Sequence, residues 1–259
     1  MFELTSTEIG QNWKRFRNLI SETFKTRTNE LNAMYDAMED RMVTMPASSI
    51  EHYHNAIPGG YVEHVLRVMD FSEREYKHWK SSGLKVDNFT LEELLFAAAH
   101  HDLGKYGLPD HEMYVPNDSK WHRENQGKIY TVAEPTPFAL IQDTSLFLLQ
   151  HYGVKCSWQE QFAIRIHDGL YDDANKSYYM SSQLGSKMRT NIALMLHFAD
   201  MKAARFEFER WAISSPEKFT FYGETATSNK PTTNPKSKAL STTDPVALDR
   251  FKTLFGKNK

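Results

Sequence analysis

Apolar residues recur along this chain at helical spacing. Between residues 7 and 43, Trp13, Phe16, Ile20, Phe24, Leu31 and Met34 approximate a period of about 3.6 among Glu, Lys, Arg, Met and Leu. That pattern predicts one long amphipathic helix or two broken ones, ended by Pro46 and the Ser48-Ser49 pair. A loop through His52, His54, Pro58, Gly59 and Gly60 follows. Val62, Val65, Leu66 and Met69 then repeat at i, i+3, i+4 and i+7, which predicts a helix over 61–79. Thr90-Leu91-Glu92-Glu93 is a capping box, and it opens LLFAAAHHDLGK, apolar on every side and therefore a buried helix ending near Gly104. Residues 105–140 carry four prolines and little periodicity, and are expected to form a long irregular, functional loop. Asp143 is placed to cap SLFLLQHYG, Ser157-Trp158-Gln159-Glu160 is a second capping box opening QFAIRIHDG, and a further apolar helix runs from Thr190 to about Trp211. With no internal repeat and no strand pattern, the expected class is all-α.

From about Gly223 to Asp244 the composition shifts to Thr, Ser, Asn, Pro and Lys, which reads as a flexible linker. The expected organisation is an N-terminal helical extension over 1–48, a main helical domain over 49–222 and a tail over 223–259. Residues 224–259 hold seven basic and three acidic residues, a charge of +4, leaving −6 on the rest. In the tail, Leu248, Phe251, Leu254 and Phe255 share one helical face, in a segment too short to be stable alone. The ending LeuAspArgPheLysThrLeuPhe is similar to peptides by which replication proteins grip a sliding clamp, so a clamp is an expected partner.

A hydrophobic content of 40% over 259 residues supplies a buried core. The net charge of −2 excludes a global basic field for nucleic acid, although a local basic groove stays open. A single cysteine, Cys156, excludes an intrachain disulfide and a thiolate cluster for zinc. No run of 18 apolar residues and no basic-then-apolar start occurs, so the expectation is a cytoplasmic protein without signal peptide or membrane span. The N-terminal helix is a candidate homodimer surface.

Eleven histidines change the picture, all of them between His52 and His197. A transition-metal site here must be built from His and carboxylate. Two aspartates sit where an unpaired carboxylate is costly: Asp102 closes the AAAHHD run and Asp200 interrupts ALMLHFADM. His64 lies on the inner edge of its helix. The neighbours His101 and Asp102 can reach one centre only at a helix end, which Gly104 supplies.

His64, His101-Asp102 and Asp200, in this order on helices, resemble the HD superfamily of metal-dependent phosphohydrolases over about residues 50–212. HNAIPGGYVEHVLRV is similar to the family's first-ligand helix with its Gly-Gly turn, AHHDLGK to its HD-x-G-K signature, and LHFADMKAA to the helix of its last aspartate. The overall flavour also resembles HD hydrolases of large tailed phages, which would place the protein in a host cytoplasm. The resemblance implies His64, His101, Asp102 and Asp200 as ligands of one divalent metal, Mn, Mg, Fe, Co or Ni, with Zn compatible. His122, His151 and His167 lie where two-metal relatives add histidines, but His167-Asp168 stands where those relatives often have a His-His pair, leaving one metal or two open. Capping of helix ends is the alternative role for His151 and His167. His52, His54 and His100 are candidates to line the pocket, and His78 and His111 are expected at the surface.

Such a site activates water toward a phosphoryl group. Asp102, Lys105, His122 and His167 are the candidate catalytic residues. Lys105 is also a candidate to neutralise a phosphate oxygen, with a solvated helix-end lysine as the alternative. Trp121, Arg123 and Lys128, mixed with Lys120 and Tyr130, suit a nucleotide, and Arg165 is a weaker candidate of the same kind. The expected function is hydrolysis of a nucleotide ester or anhydride. The alternatives are a 3′-5′ exonuclease on single-stranded RNA or DNA and a catalytically silent nucleotide-sensing or interaction module.

Overall fold

A computed structural model describes residues 2–134, 136 and 139–223. The linker and clamp-binding expectations for the tail lie outside the described residues. The chain divides into the compact units Met1–Thr220 and Phe221–Lys259, and every element below belongs to the first.

The fold is mainly α-helical, as the periodicity predicts. The N-terminal pattern resolves into two helices, α1 (Ser6–Thr23) and α2 (Thr28–Met42), broken by a tight turn at Lys25–Arg27. A capping box between Thr5 and Glu8 starts α1, and α2 stops four residues before Pro46. Then come α3 (Gly60–Ser81) and α4 (Leu91–His100), the latter opened by the expected Thr90–Glu93 capping box. A turn at Leu103–Tyr106 continues α4 in a tighter helical form.

Residues 105–140 are not the irregular loop the sequence suggests. Strands β1 (Gly107–Leu108) and β2 (His111–Glu112) pair antiparallel around Pro109-Asp110, and β3 (Tyr114–Pro116) pairs antiparallel with β4 (Tyr130–Val132) in the register Val115 opposite Thr131. Helix α5 (Lys120–Gln126) fills the return. These strands are too short for an alternating pattern to be counted, which is why no strand was expected.

The rest is α6 (Ile141–His151), α7 (Trp158–Ile166), α8 (Lys176–Tyr179) and α9 (Ile192–Ser214). Ser157 and Glu160 form the expected box on α7. Helix α6 begins before Asp143, with Leu140 at its cap, so Asp143 lies in the first turn, where a carboxylate still complements the helix dipole.

Helix α4 is apolar all round because it is enclosed by α3, α7 and α9, while α3 runs along α9 and α1 covers α3. The N-terminal helices are part of the same core: Phe24 meets Phe96 of α4 edge to face at 5.5 Å, and Phe16 meets Tyr35 of α2 at 5.0 Å. Arg27, in the break between α1 and α2, lies 3.9 Å over the Phe96 ring and pairs with buried Glu160 of α7 at 2.7 Å. Among the described residues, no helix is long and apolar enough to cross a membrane.

Candidate metal centre

Four segments bring histidines and carboxylates together. The loop before α3 is held by Asn55, whose amide donates to Gly60 O and Glu63. A side chain at Gly60 would stand 2.1 Å from the Asn55 carbonyl, so only glycine lets this loop fold down on the helix. As a result the His54 ring lies 5.0 Å from that of His64, one helical turn into α3. His101 and Asp102 sit at the C-terminal end of α4, where the backbone turns away. Ser145 of α6 fixes that turn, donating to His101 O at 3.0 Å and accepting from Gly104 N at 2.8 Å.

Helix α9 contributes Asp200 and, seven residues on and so on the same face, Glu207. His64 is held between them. Its Nε2 lies 3.2 Å from Asp200 Oδ1, and its Nδ1 donates to the Glu207 carboxylate at 3.1 and 3.3 Å. Arg67 braces Glu207 from behind at 3.0 Å. His101 turns Nδ1 toward Ala98 O at 2.9 Å, and His167, at the end of α7, turns Nδ1 toward Ile164 O at 2.8 Å. A carbonyl only accepts, so both Nδ1 atoms carry hydrogen and both Nε2 atoms keep a lone pair in the neutral ring.

Among the described residues, the Nε2 atoms of His64 and His101 are buried and make no aligned hydrogen bond. Both face the same carboxylates: His101 Nε2 is 3.4 Å from Asp102 Oδ2 and 3.7 Å from Asp200 Oδ1, and His64 Nε2 is 3.8 Å from Asp102 Oδ2. Ligand atoms bound at about 2.1 Å from a common ion stand about 3–3.5 Å apart, so the cluster is slightly open and of the right size. Three overlapping groups, His54–His64–Asp102, His64–His101–Asp200 and His101–Asp102–His167, each keep their ligand atoms within 4.8 Å of one another. These residues are suited to holding a metal ion, and the outward hydrogen bonds from Nδ1 orient the rings as second partners do in metal sites.

The electrostatics agree. Burial pulls the His64 imidazole down, but Glu207 and Asp200 outweigh it and push its pKa up to about 9. His101, likewise lowered by burial, is raised to about 10 by Asp102 and Asp200. The carboxyls of Asp102 and Asp200, which burial alone would raise, are held well below the usual range: Lys105 and His101 act on Asp102, and His101 and His64 on Asp200. Positive charge is therefore favoured between these groups, and a proton and a cation compete for the same lone pairs.

Comparison with family models finds no match, and comparisons with curated proteins and with solved structures find none either.

The sequence-derived candidates separate clearly. His64, His101, Asp102 and Asp200 are brought together, and His167 joins them, its Nε2 3.8 Å from Asp102 Oδ1 and 3.5 Å from Asp168 Oδ1. Lys105 is buried beside them, its ammonium 2.5 Å from Asp102 Oδ2 and 3.0 Å from His54 Nε2. His122 is not among these contacts. It is exposed on α5, its ring edge-on to Trp121 at 5.2 Å. Trp121 is exposed too, Arg123 donates to Asn117 O, and Lys128 is exposed while its backbone bridges to Ile50. Arg165 pairs with Asp143 at 3.0 Å and Asp172 at 3.8 Å. His100 turns into the core and meets the Tyr35 hydroxyl at 2.7 Å, His151 is exposed, and His52 stands against Trp211 at 5.7 Å.

Two groups went unread in the sequence. Glu207 looked like one more charge in ARFEFERW, although its spacing of two turns from Asp200 marks the same face. His197 of α9 donates from Nδ1 to the His167 carbonyl, 2.9 Å away, and lines a groove that also includes Tyr53, His54, Asp168, Tyr171 and Asp200.

Proposed function

We propose that this chain is a metal-dependent phosphohydrolase of the HD class acting on a nucleotide. The observation that carries the reading is the pair of buried Nε2 atoms of His64 and His101, aimed at the carboxylates of Asp102 and Asp200 beside an open groove. These nitrogens lie 3.2–3.8 Å from the two carboxylates without an aligned hydrogen bond, and a cation is the ligand that both the ring lone pairs and the carboxylates accept. The order of these residues along the chain, with Lys105 completing HD-x-G-K, supports the HD class.

A donor set of imidazole and carboxylate without sulfur suits Mn²⁺, Fe²⁺, Co²⁺ or Ni²⁺, with Mg²⁺ and Zn²⁺ compatible. When bound, the cation supplies Lewis acidity toward water and a phosphoryl oxygen. The protein's own groups do the rest. Asp102 and Asp200 orient the rings and balance charge, Lys105 holds Asp102 in place and carries a further N–H for a phosphate oxygen, and His167 is positioned to hold a proton at Nε2 for the leaving oxygen.

The test is a panel of nucleotides, dinucleotides and short oligonucleotides with Mn²⁺ or Mg²⁺. Release of phosphate, pyrophosphate or mononucleotide separates a nucleotidase, a triphosphatase and an exonuclease in one experiment. Asp102→Ala is expected to abolish hydrolysis and bound metal together, and full activity in that variant would reject the ligand assignment. No turnover of any substrate by the metal-loaded wild type would favour a nucleotide-sensing or interaction module.

A further inference from the structure

We infer that the groove beside the candidate metal centre takes a phosphodiester linking two nucleosides, with one base on Tyr53 and the other on Tyr171. This rests on the phosphohydrolase reading and specifies the substrate of the same site.

Both rings line the groove that reaches Asp200, and both are open: Tyr53 is 52% exposed and Tyr171 81%. They are carried by different segments of the chain. Tyr53 adjoins His54, which groups with His64 and Asp102, whereas Tyr171 follows the turn after His167, which groups with His101 and Asp102. Each has an aromatic neighbour. The Tyr53 ring meets His52 edge to face at 5.1 Å, and the Tyr171 ring meets His197 at 6.1 Å. Gly169, at φ +58°, makes the second contact possible, because a side chain there would stand 2.5 Å from the His197 ring. Two open aromatic rings on one groove that also reaches the candidate ligands His54 and Asp200 suit two flat bases and one phosphorus, since stacking accepts any base.

The charges set the phosphate's form. Asp168 and Asp200 line the groove, and its cations Lys202 and Arg205 are each engaged with a carboxylate, Glu75 and Glu209 respectively. Among the described lining residues, two acids stand beside two cations that are each shared with a carboxylate, so outside the metal centre the groove offers little surplus positive charge for the additional phosphates of a triphosphate. A diester carries one negative charge. In the reaction, water oxygen adds to phosphorus, the bond from phosphorus to one ribose oxygen breaks, and the water proton passes to that oxygen. The products are one nucleoside and one nucleoside monophosphate.

The experiment compares the dinucleotide ApA with AMP and ATP on the full chain, as Mn²⁺-dependent turnover and as calorimetric binding in EDTA. ApA is expected to be cleaved with a kcat/KM at least about tenfold above ATP and AMP, and to bind the metal-free protein about tenfold more tightly than AMP. Tyr53→Ala and Tyr171→Ala are each expected to weaken ApA binding about tenfold, and the Tyr→Phe variants to keep it. Turnover of ATP or AMP without ApA, or ApA binding untouched by both alanine variants, overturns the inference and leaves the phosphohydrolase reading standing. Tight, tyrosine-dependent ApA binding without turnover of any phosphoester overturns that reading and with it the diester hydrolysis.

Discussion

At the residue scale, the decisive feature is which ring nitrogen each histidine turns inward. His101 and His167 present Nδ1 to backbone carbonyls of their own helices, a local bond that any helix-end histidine can make. His64 instead depends on Glu207, 143 residues away in sequence. The carboxylate fixes the ring and raises the basicity of the opposite nitrogen. Glu207→Gln keeps the shape and removes the charge. We expect Mn²⁺ affinity to fall about 10- to 100-fold, read by calorimetry, with the circular dichroism spectrum unchanged. Equal affinity in the variant would remove Glu207 from the site. Asp102 and Asp200 were legible in the sequence because a carboxylate inside an apolar helix stands out by its cost. Glu207 was not, because its neighbours Arg205, Glu209 and Arg210 make a charge there look ordinary.

At the scale of elements, a polar knot joins α3, α9 and the loop before α3. Glu63 accepts from Arg67 at 2.6 Å, from Arg210 at 2.6 and 2.7 Å, and from the Asn55 amide at 2.6 Å. Burial would raise the Glu63 carboxyl, but Arg210, Arg67 and Asn55 hold it below the usual range. A carboxylate whose pKa is lower in the folded state stabilises the fold above its unfolded value of about 4.3, and that contribution is lost as pH falls through the folded value. Glu63→Gln is therefore expected to cost about 3 kcal/mol near neutral pH, since it leaves two guanidinium groups short of a partner. The gap to wild type should shrink from pH 6 to pH 3 in urea melts, and a gap independent of pH would exclude this role. The helices and three capping boxes follow rules spanning four residues, and the two boxes at Thr90 and Ser157 were readable for that reason. The ribbons β1–β2 and β3–β4 were hidden because strands of two or three residues have no period, and their pairing joins segments that local propensity does not connect.

For the whole molecule, a cation bound only by the folded state must stabilise it. At free Mn²⁺ 100-fold above Kd, the expected gain is about 2.7 kcal/mol, seen as a rise in Tm that EDTA reverses and Asp200→Asn abolishes. A Tm indifferent to every divalent ion tried would refute the metal centre. The same scale explains the fate of the eleven histidines. The sequence by itself determined the helical class, the Thr90 and Ser157 caps and the two costly aspartates, because periodicity, capping and burial cost act within a few residues. Only the tertiary structure decided that His54, His64, His101 and His167 meet, that His100 turns instead to Tyr35, and that Trp121, His122 and Arg123 stand apart on α5, with Lys128 just past its end. Side-chain direction at a helix end or in a loop is set by what packs against it, and those partners come from distant parts of the chain.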